Sequence, residues 1–189
     1  MRKLVLFMHV SLDGYATDSK GELGWVPYDE EFQKYSEEIV AEVGSPVYGR
    51  VTYELMESYW APMLGNPNAS RHSMEHARWV HDVKKIVISR TLDKAEWNNT
   101  MLIKDNIAEE INALKEQPGK DLVIFGSPGL AKTLLQLGLI DEFLLTICPV
   151  VLGGGNSVFD GGVEKIRLKL LSSRTFKSGI IATRYELEK

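Results

Sequence analysis

The stretch Asp121-Leu122-Val123-Ile124-Phe125-Gly126-Ser127-Pro128-Gly129-Leu130-Ala131-Lys132-Thr133-Leu134-Leu135 decides the fold. An apolar run of strand length ends in Gly-Ser-Pro-Gly, and apolar residues then recur at three- and four-residue spacing through Leu137. A buried strand that turns at once into an amphipathic helix is half of a parallel crossover.

The same alternation extends in both directions. Leu4–Val10, Pro46–Tyr48, Lys85–Ile88 and Glu142–Val150 read as further strands, and Glu30–Val43, Tyr53–Tyr59 and Ile107–Lys115 as further helices. This predicts an α/β fold of three α/β/α layers, with a mostly parallel central sheet covered on both faces. Arg167–Arg174 and Ile180–Glu186, separated by Lys177-Ser178-Gly179, predict an antiparallel C-terminal hairpin. Gly65–Ser70 reads as a long exposed loop, and no internal repeat is present. At 189 residues and 44% apolar, the chain is expected to be a single domain spanning 1–189.

The charge balance excludes some partners. With 22 Lys and Arg against 26 Asp and Glu, the net charge is −4, so no global positive field gathers nucleic acid or an anionic membrane. An anionic ligand has to be captured locally. Cys148 is the only cysteine, which fits a reducing compartment. The apolar stretch after Met1-Arg2-Lys3 is too short for a secretory leader and closes on Asp13-Gly14, and no apolar run approaches the roughly 20 residues of a membrane-spanning helix. A cytoplasmic location is expected.

Three segments favour phosphate. Gly126, Ser127, Gly129 and Leu130 open a helix after a strand, where free N–H groups point outward. Gly49-Arg50-Val51-Thr52 opens another helix, and Ser89-Arg90-Thr91 ends a third strand. Taken singly, each also fits an ordinary turn or a solvated arginine. All three fall at carboxyl ends of strands, the edge where open α/β sheets bind ligands.

Ser11-Leu12-Asp13-Gly14, Gly21-Glu22-Leu23-Gly24-Trp25, Gly49-Arg50, Ser89-Arg90, Trp97-Asn98-Asn99-Thr100, Phe125-Gly126-Ser127 and Pro149–Gly155 occur in the order seen in the dihydrofolate reductase superfamily. Across nearly its whole length the chain resembles the standalone members related to the riboflavin-biosynthesis reductase domain. The resemblance implies NADPH as cofactor, with Arg50, Ser89 and Arg90 on the 2′-phosphate. Thr52 and the Gly126–Leu130 loop would hold the pyrophosphate, and the backbone near His9 and Ala16 would face the nicotinamide. His9 departs from the small residue usual there, and Gly126-Ser127 replaces the glycine pair that dihydrofolate reductases keep in a cis peptide. A homodimer is implied as well.

The implied reaction is hydride transfer to a small heterocycle such as 5-amino-6-(5-phosphoribosylamino)uracil, with dihydrofolate or another pterin as the alternative substrate. Such a transfer needs a proton, delivered directly or through water. Asp13, Asp29 and Glu30 are the candidate carboxylates, and Thr146 matches a threonine that bonds the catalytic acid in dihydrofolate reductases. Asp29 and Glu30 equally suit a helix start, and Asp13-Gly14 equally suits a turn. Trp25, Tyr59 and Trp60 are candidates for walling a flat ring, and Gly154, within Gly153–Gly155, for backbone close to substrate.

Two other readings compete. His72-Ser73-Met74-Glu75-His76 fits H-x-x-E-H, which on a helix sets two imidazoles one turn apart, as a zinc-dependent hydrolase needs. A protein that binds NADPH without catalysis is the other. Gly126–Thr133 nearly spells a nucleotide phosphate loop but has Ala131 where the second glycine belongs. The expectation is an NADPH-dependent reductase with no resident metal.

Overall fold

The computed structural model describes residues 1–159 and 165–188. Its central sheet is built on β1 (Leu4–Ser11), flanked by β6 (Asp121–Phe125) and β7 (Glu142–Cys148). Beyond β6 lie β3 (Val43–Gly49), β4 (Lys85–Ile88) and β5 (Thr100–Ile103), and all six of these strands run parallel. Beyond β7 the antiparallel pair β10 (Ile181–Leu187) and β9 (Leu168–Thr175) completes the order β5-β4-β3-β6-β1-β7-β10-β9.

The side chains of β1 show why helices cover both faces. Leu4, Leu6, Met8 and Val10 point into a core shared with Ile111 and Leu114 of α4 (Ile107–Glu116) and with Leu134 and Leu135 of α5 (Pro128–Gln136). Val5 and Phe7 point the other way, onto Phe32, Tyr35 and Ile39 of α1 (Glu30–Glu42). Each such side chain contributes roughly 1.5–3 kcal/mol on burial, so three anchors hold α1 firmly despite its polar outer face. On that same face, Tyr53 of α2 (Arg50–Trp60) and Val80 of α3 (Arg71–Asp82) pack on Tyr48, Val87 and Trp97. The layers are therefore α/β/α, and the C-terminal hairpin is antiparallel as expected.

Several elements were not expected from sequence. They are α3, β5, the 3-10 turn Ala61–Gly65, and a small antiparallel pair of β2 (Tyr15–Thr17) with β8 (Asn156–Ser157). The supposed loop Gly65–Ser70 is shortened at its ends by that 3-10 turn and by Ser70, whose hydroxyl accepts from the Ser73 amide at 3.1 Å and so caps α3. Among the described residues, no helix is long and apolar enough to cross a membrane.

Candidate active site

The carboxyl ends of β1, β3, β4 and β6 open onto a cavity of about 720 Å³. Its volume lies within the roughly 300–1,000 Å³ of small-molecule sites. Phe7 and His9 of β1 and Phe125 of β6 form one part of the wall, and Gly49, Arg50 and Thr52 form another where β3 passes into α2. Ser89 and Arg90 follow β4, Lys104 follows β5, and Gly126 to Leu130 carry β6 into α5. Ala16 and Thr17 of β2 with Asn156 of β8 cover the opening, and Leu23, Val51, Leu55 and Met56 make the rest apolar. All the residues named for the cofactor on sequence thus line a single cavity.

The starts of α2 and α5 differ from the other helix starts, including that of α4, whose Ile107 also lines the cavity. α2 and α5 have no side-chain cap and no acidic residue in the first turn. In contrast, α1 is capped by Asp29 and carries Glu30 and Glu31, α3 is capped by Ser70, and α4 carries Glu109 and Glu110. The partial positive charge at the starts of α2 and α5 is therefore left for a ligand. Gly126 and Ser127 take successive left-handed conformations, with φ 57° and 54°. For a serine this costs roughly 1–2 kcal/mol, offset here by hydrogen bonds. The Ser127 hydroxyl accepts from the Gly49 amide at 3.0 Å and donates to the Thr52 hydroxyl at 2.6 Å. Among the described residues all peptide bonds are trans, the Gly126–Ser127 bond included.

Cations mark one end. Arg50 bonds Glu54 at 3.0 Å, one turn along α2. Arg90 and Lys104 stand three and four strands away from β1, which at a strand spacing of 4.7–4.9 Å is about 14 and 19 Å across the sheet. At the β1 end, His9 Nδ1 meets the Thr146 hydroxyl at 2.5 Å. Burial pushes the His9 imidazole down to about 4, so it is neutral at physiological pH.

The candidate carboxylates lie off the wall. Asp13 accepts from the Ser11 hydroxyl at 2.6 Å and from the amides of Leu152 and Gly153 at 3.1 and 2.8 Å, which fastens the β1–β2 turn to the Pro149–Gly155 segment. The Ser11 hydroxyl first, then those two amides, lowers its carboxyl to about 2. Asp29 caps α1 by accepting from the Phe32 amide at 2.8 Å. Glu30 is exposed and pairs with Lys34 at 3.2 Å. Among the described residues no carboxylate lines the cavity.

The residues expected to wall the substrate ring are also elsewhere. Trp25 donates from Nε1 to the Glu22 carbonyl and packs on the α1 side of the core. Tyr59 is 55% exposed and edge-on to Trp60, which in turn lies 4.1 Å from the His76 ring. Gly154 has open space where a Cβ would stand. Within the H-x-x-E-H pattern, His72 pairs with Glu37 at 2.7 Å and Glu75 with Arg71 at 2.7 Å, while His76 sits between Trp60 and Trp79. Among the described residues no group of three or more His, Cys, Asp or Glu gathers to hold a metal.

Lys104 was not foreseen. The short apolar run Thr100–Ile103 before it was the available signal, because a strand there puts the next residue on the sheet's carboxyl edge.

Comparison with known proteins agrees with this architecture. The uncharacterised Bacillus subtilis (strain 168) protein YyaP is 36% identical over 184 residues, covering 97% of this chain and 94% of its own. A Shewanella sp. PV-4 protein provisionally named for riboflavin biosynthesis superposes with a TM-score of 0.78 at 23% identity, over 99% of both chains. Dihydrofolate reductase from Enterococcus faecalis, solved with NADP(H), superposes with a TM-score of 0.64 at 17% identity, over 99% of this chain and 97% of that one. At those identities the two structures speak for the fold, which is dihydrofolate reductase-like. The model of the RibD C-terminal domain matches residues 2–182, and the chain belongs to that family.

Proposed function

We propose that the protein is an NADPH-dependent reductase of a small heterocyclic substrate, of the kind that acts on 5-amino-6-(5-phosphoribosylamino)uracil. The observation that carries this is the pair of uncapped, acid-free helix starts on one cavity wall beside Arg50, Arg90 and Lys104. That donor set suits a doubly phosphorylated adenosine: N–H groups for a pyrophosphate, guanidinium forks and an ammonium for a separate phosphate. An NADP(H) complex among the proteins that share the fold supports the same reading.

In this assignment Thr52, Ser127, Gly129 and Leu130 hold the pyrophosphate, and Arg50, Ser89, Arg90 and Lys104 hold the 2′-phosphate. Gly49 and Gly126, whose amides already donate to Ser127 Oγ and the Phe7 carbonyl, let the backbone approach the pyrophosphate. His9 and Ala16 flank the nicotinamide end, about as far from Lys104 as an extended dinucleotide requires. When bound, the dinucleotide would supply the hydride. The chain holds the acceptor in the apolar part of the cavity and limits water there. With no carboxylate on the described wall, we assign the proton to water at the cavity mouth, and to Asp13 the part of fastening the roof. The proposal takes the chain as one domain, cytoplasmic, and a homodimer paired through β9, whose Leu170 and Leu171 are open at the sheet edge. Titration of tryptophan fluorescence with NADPH and NADH tests the central claim. Tighter binding of NADPH is expected, and no binding of either dinucleotide would sink it.

A further inference from the structure

His9 brings a polar side chain to the β1 end of the cavity, where its neighbours Phe7, Phe125 and Ala16 are apolar. It stands opposite Thr146 in the β1–β7 register, which accounts for the 2.5 Å contact between Nδ1 and the hydroxyl. The Thr146 hydroxyl has one proton and two acceptors in reach, His9 Nδ1 and, at 3.4 Å, the Met8 carbonyl. With that proton turned to Met8, the hydroxyl oxygen accepts from Nδ1–H and Nε2 keeps a bare lone pair; with it turned to Nδ1, the ring proton sits on Nε2. Phe7 and Phe32 meet the imidazole in edge-type contacts at 5.2 and 5.6 Å and restrict its rotation. Among the described residues, the buried side-chain N and O atoms without a partner are Trp97 Nε1 and Ser178 Oγ. Among the described residues Nε2 has no hydrogen-bond partner, and His9 is one of the residues that line the cavity.

We infer that His9 Nε2 is a recognition acceptor, taking a hydrogen bond from an amide-type N–H of the molecule bound against β1, with Thr146 as the positioning residue that fixes its tautomer. The inference deepens the proposed function and rests on it for which molecule is held. Two sources carry such a donor: the carboxamide of a nicotinamide ring and the ring amide of a pyrimidine-like substrate. A fixed acceptor in apolar surroundings discriminates, because a ligand with a methyl or a carbonyl oxygen at that point leaves it unpaired. The low proton affinity of the buried ring keeps it neutral and hence an acceptor.

The test pairs ligands with and without the donor, a methyl standing in its place: NADPH against its 3-acetylpyridine analogue, and uracil against 1,3-dimethyluracil, in which both ring N–H groups are methylated. Binding is followed by NMR in the wild type, His9→Ala, Thr146→Val and Thr146→Ser. The wild type should favour the amide-bearing member of at least one pair by about three- to tenfold, the span of one neutral hydrogen bond. His9→Ala should lose that preference, Thr146→Val should weaken it, and Thr146→Ser should keep it. Preference in the dinucleotide pair identifies the carboxamide, and preference in the uracil pair identifies the substrate. Absence of preference in both pairs, a preference that survives His9→Ala, or nitrogen shifts showing the proton on Nε2 each overturn the inference. If neither dinucleotide binds, the proposed function fails instead, and the uracil pair with the tautomer measurement still judges His9.

Discussion

The Ser127 hydroxyl donates to the Thr52 hydroxyl at 2.6 Å, and this contact joins the start of α5 to the start of α2. Residues 75 apart in the chain are thereby fixed side by side, with the Gly49 amide donating to the same Ser127 oxygen at 3.0 Å. Both helix starts face the cavity, so their spacing determines how two phosphates would be gripped.

Replacing Ser127 separates this tie from the backbone strain. Ser127→Ala leaves the Gly49 amide unpaired and keeps a side chain at φ 54°, so chemical denaturation should show a loss of about 1–3 kcal/mol. Ser127→Gly loses the same bonds but relieves roughly 1 kcal/mol of left-handed strain, and should be the more stable of the two. The reverse order would mean that the turn is not strained.

The cationic end predicts a cofactor preference. Arg50→Ala, Arg90→Ala and Lys104→Ala should each weaken NADPH by about tenfold or more, the worth of a charge-assisted hydrogen bond, while changing NADH little. Because Glu54 offsets part of the Arg50 charge at 3.0 Å, Glu54→Gln should tighten NADPH modestly. Equal losses for the two dinucleotides would show that these cations do not read the extra phosphate.

The sequence exposed one rim of this site better than the other, for physical reasons. Gly49, Arg50, Gly126 and Ser127 follow long apolar strands and precede periodic helices, so their place at the sheet edge was visible without coordinates. Lys104 was missed because Thr100–Ile103 is four residues long beside Asn98-Asn99, too short for a period to show. α3 was missed because its buried residues, Ala77 and Val80, are small and few among charged neighbours. The carboxylates were ambiguous for another reason: a capping aspartate such as Asp29 and a catalytic one look alike until a cavity is seen. Asp13 showed the same limit, since its partners Leu152 and Gly153 lie 139 and 140 residues away.

Asp13 supplies a pH dependence. Its carboxyl falls from an ordinary value of 3.8 to about 2, so folding favours the ionised form. The stabilisation is therefore complete above roughly pH 5 and is lost as pH falls through about 4 to below about 2. Curves of stability against pH for the wild type and Asp13→Asn should lie apart at neutral pH and converge in acid. Amide exchange at Leu152 and Gly153 should be faster in the variant at neutral pH. Unchanged exchange there would mean that the aspartate does not hold the roof segment.

The roof itself is tested at Gly155. This residue has φ 142°, and a Cβ there would strike the Thr17 carbonyl oxygen. Thr17 is paired with Asn156, whose Nδ2 donates to its hydroxyl at 2.8 Å, and Ala16, Thr17 and Asn156 all wall the cavity. Gly155→Ala should therefore push β2 and β8 apart, with a stability loss of about 1–3 kcal/mol typical of overpacking, and weaken dinucleotide binding. Gly154→Ala is the control, because nothing lies within 4 Å of its added methyl and its φ is not positive. Its effect should stay within about 0.5 kcal/mol. Similar behaviour of the two variants would show that Thr17 yields to the added methyl and that the β2–β8 pair does not set the cavity's shape.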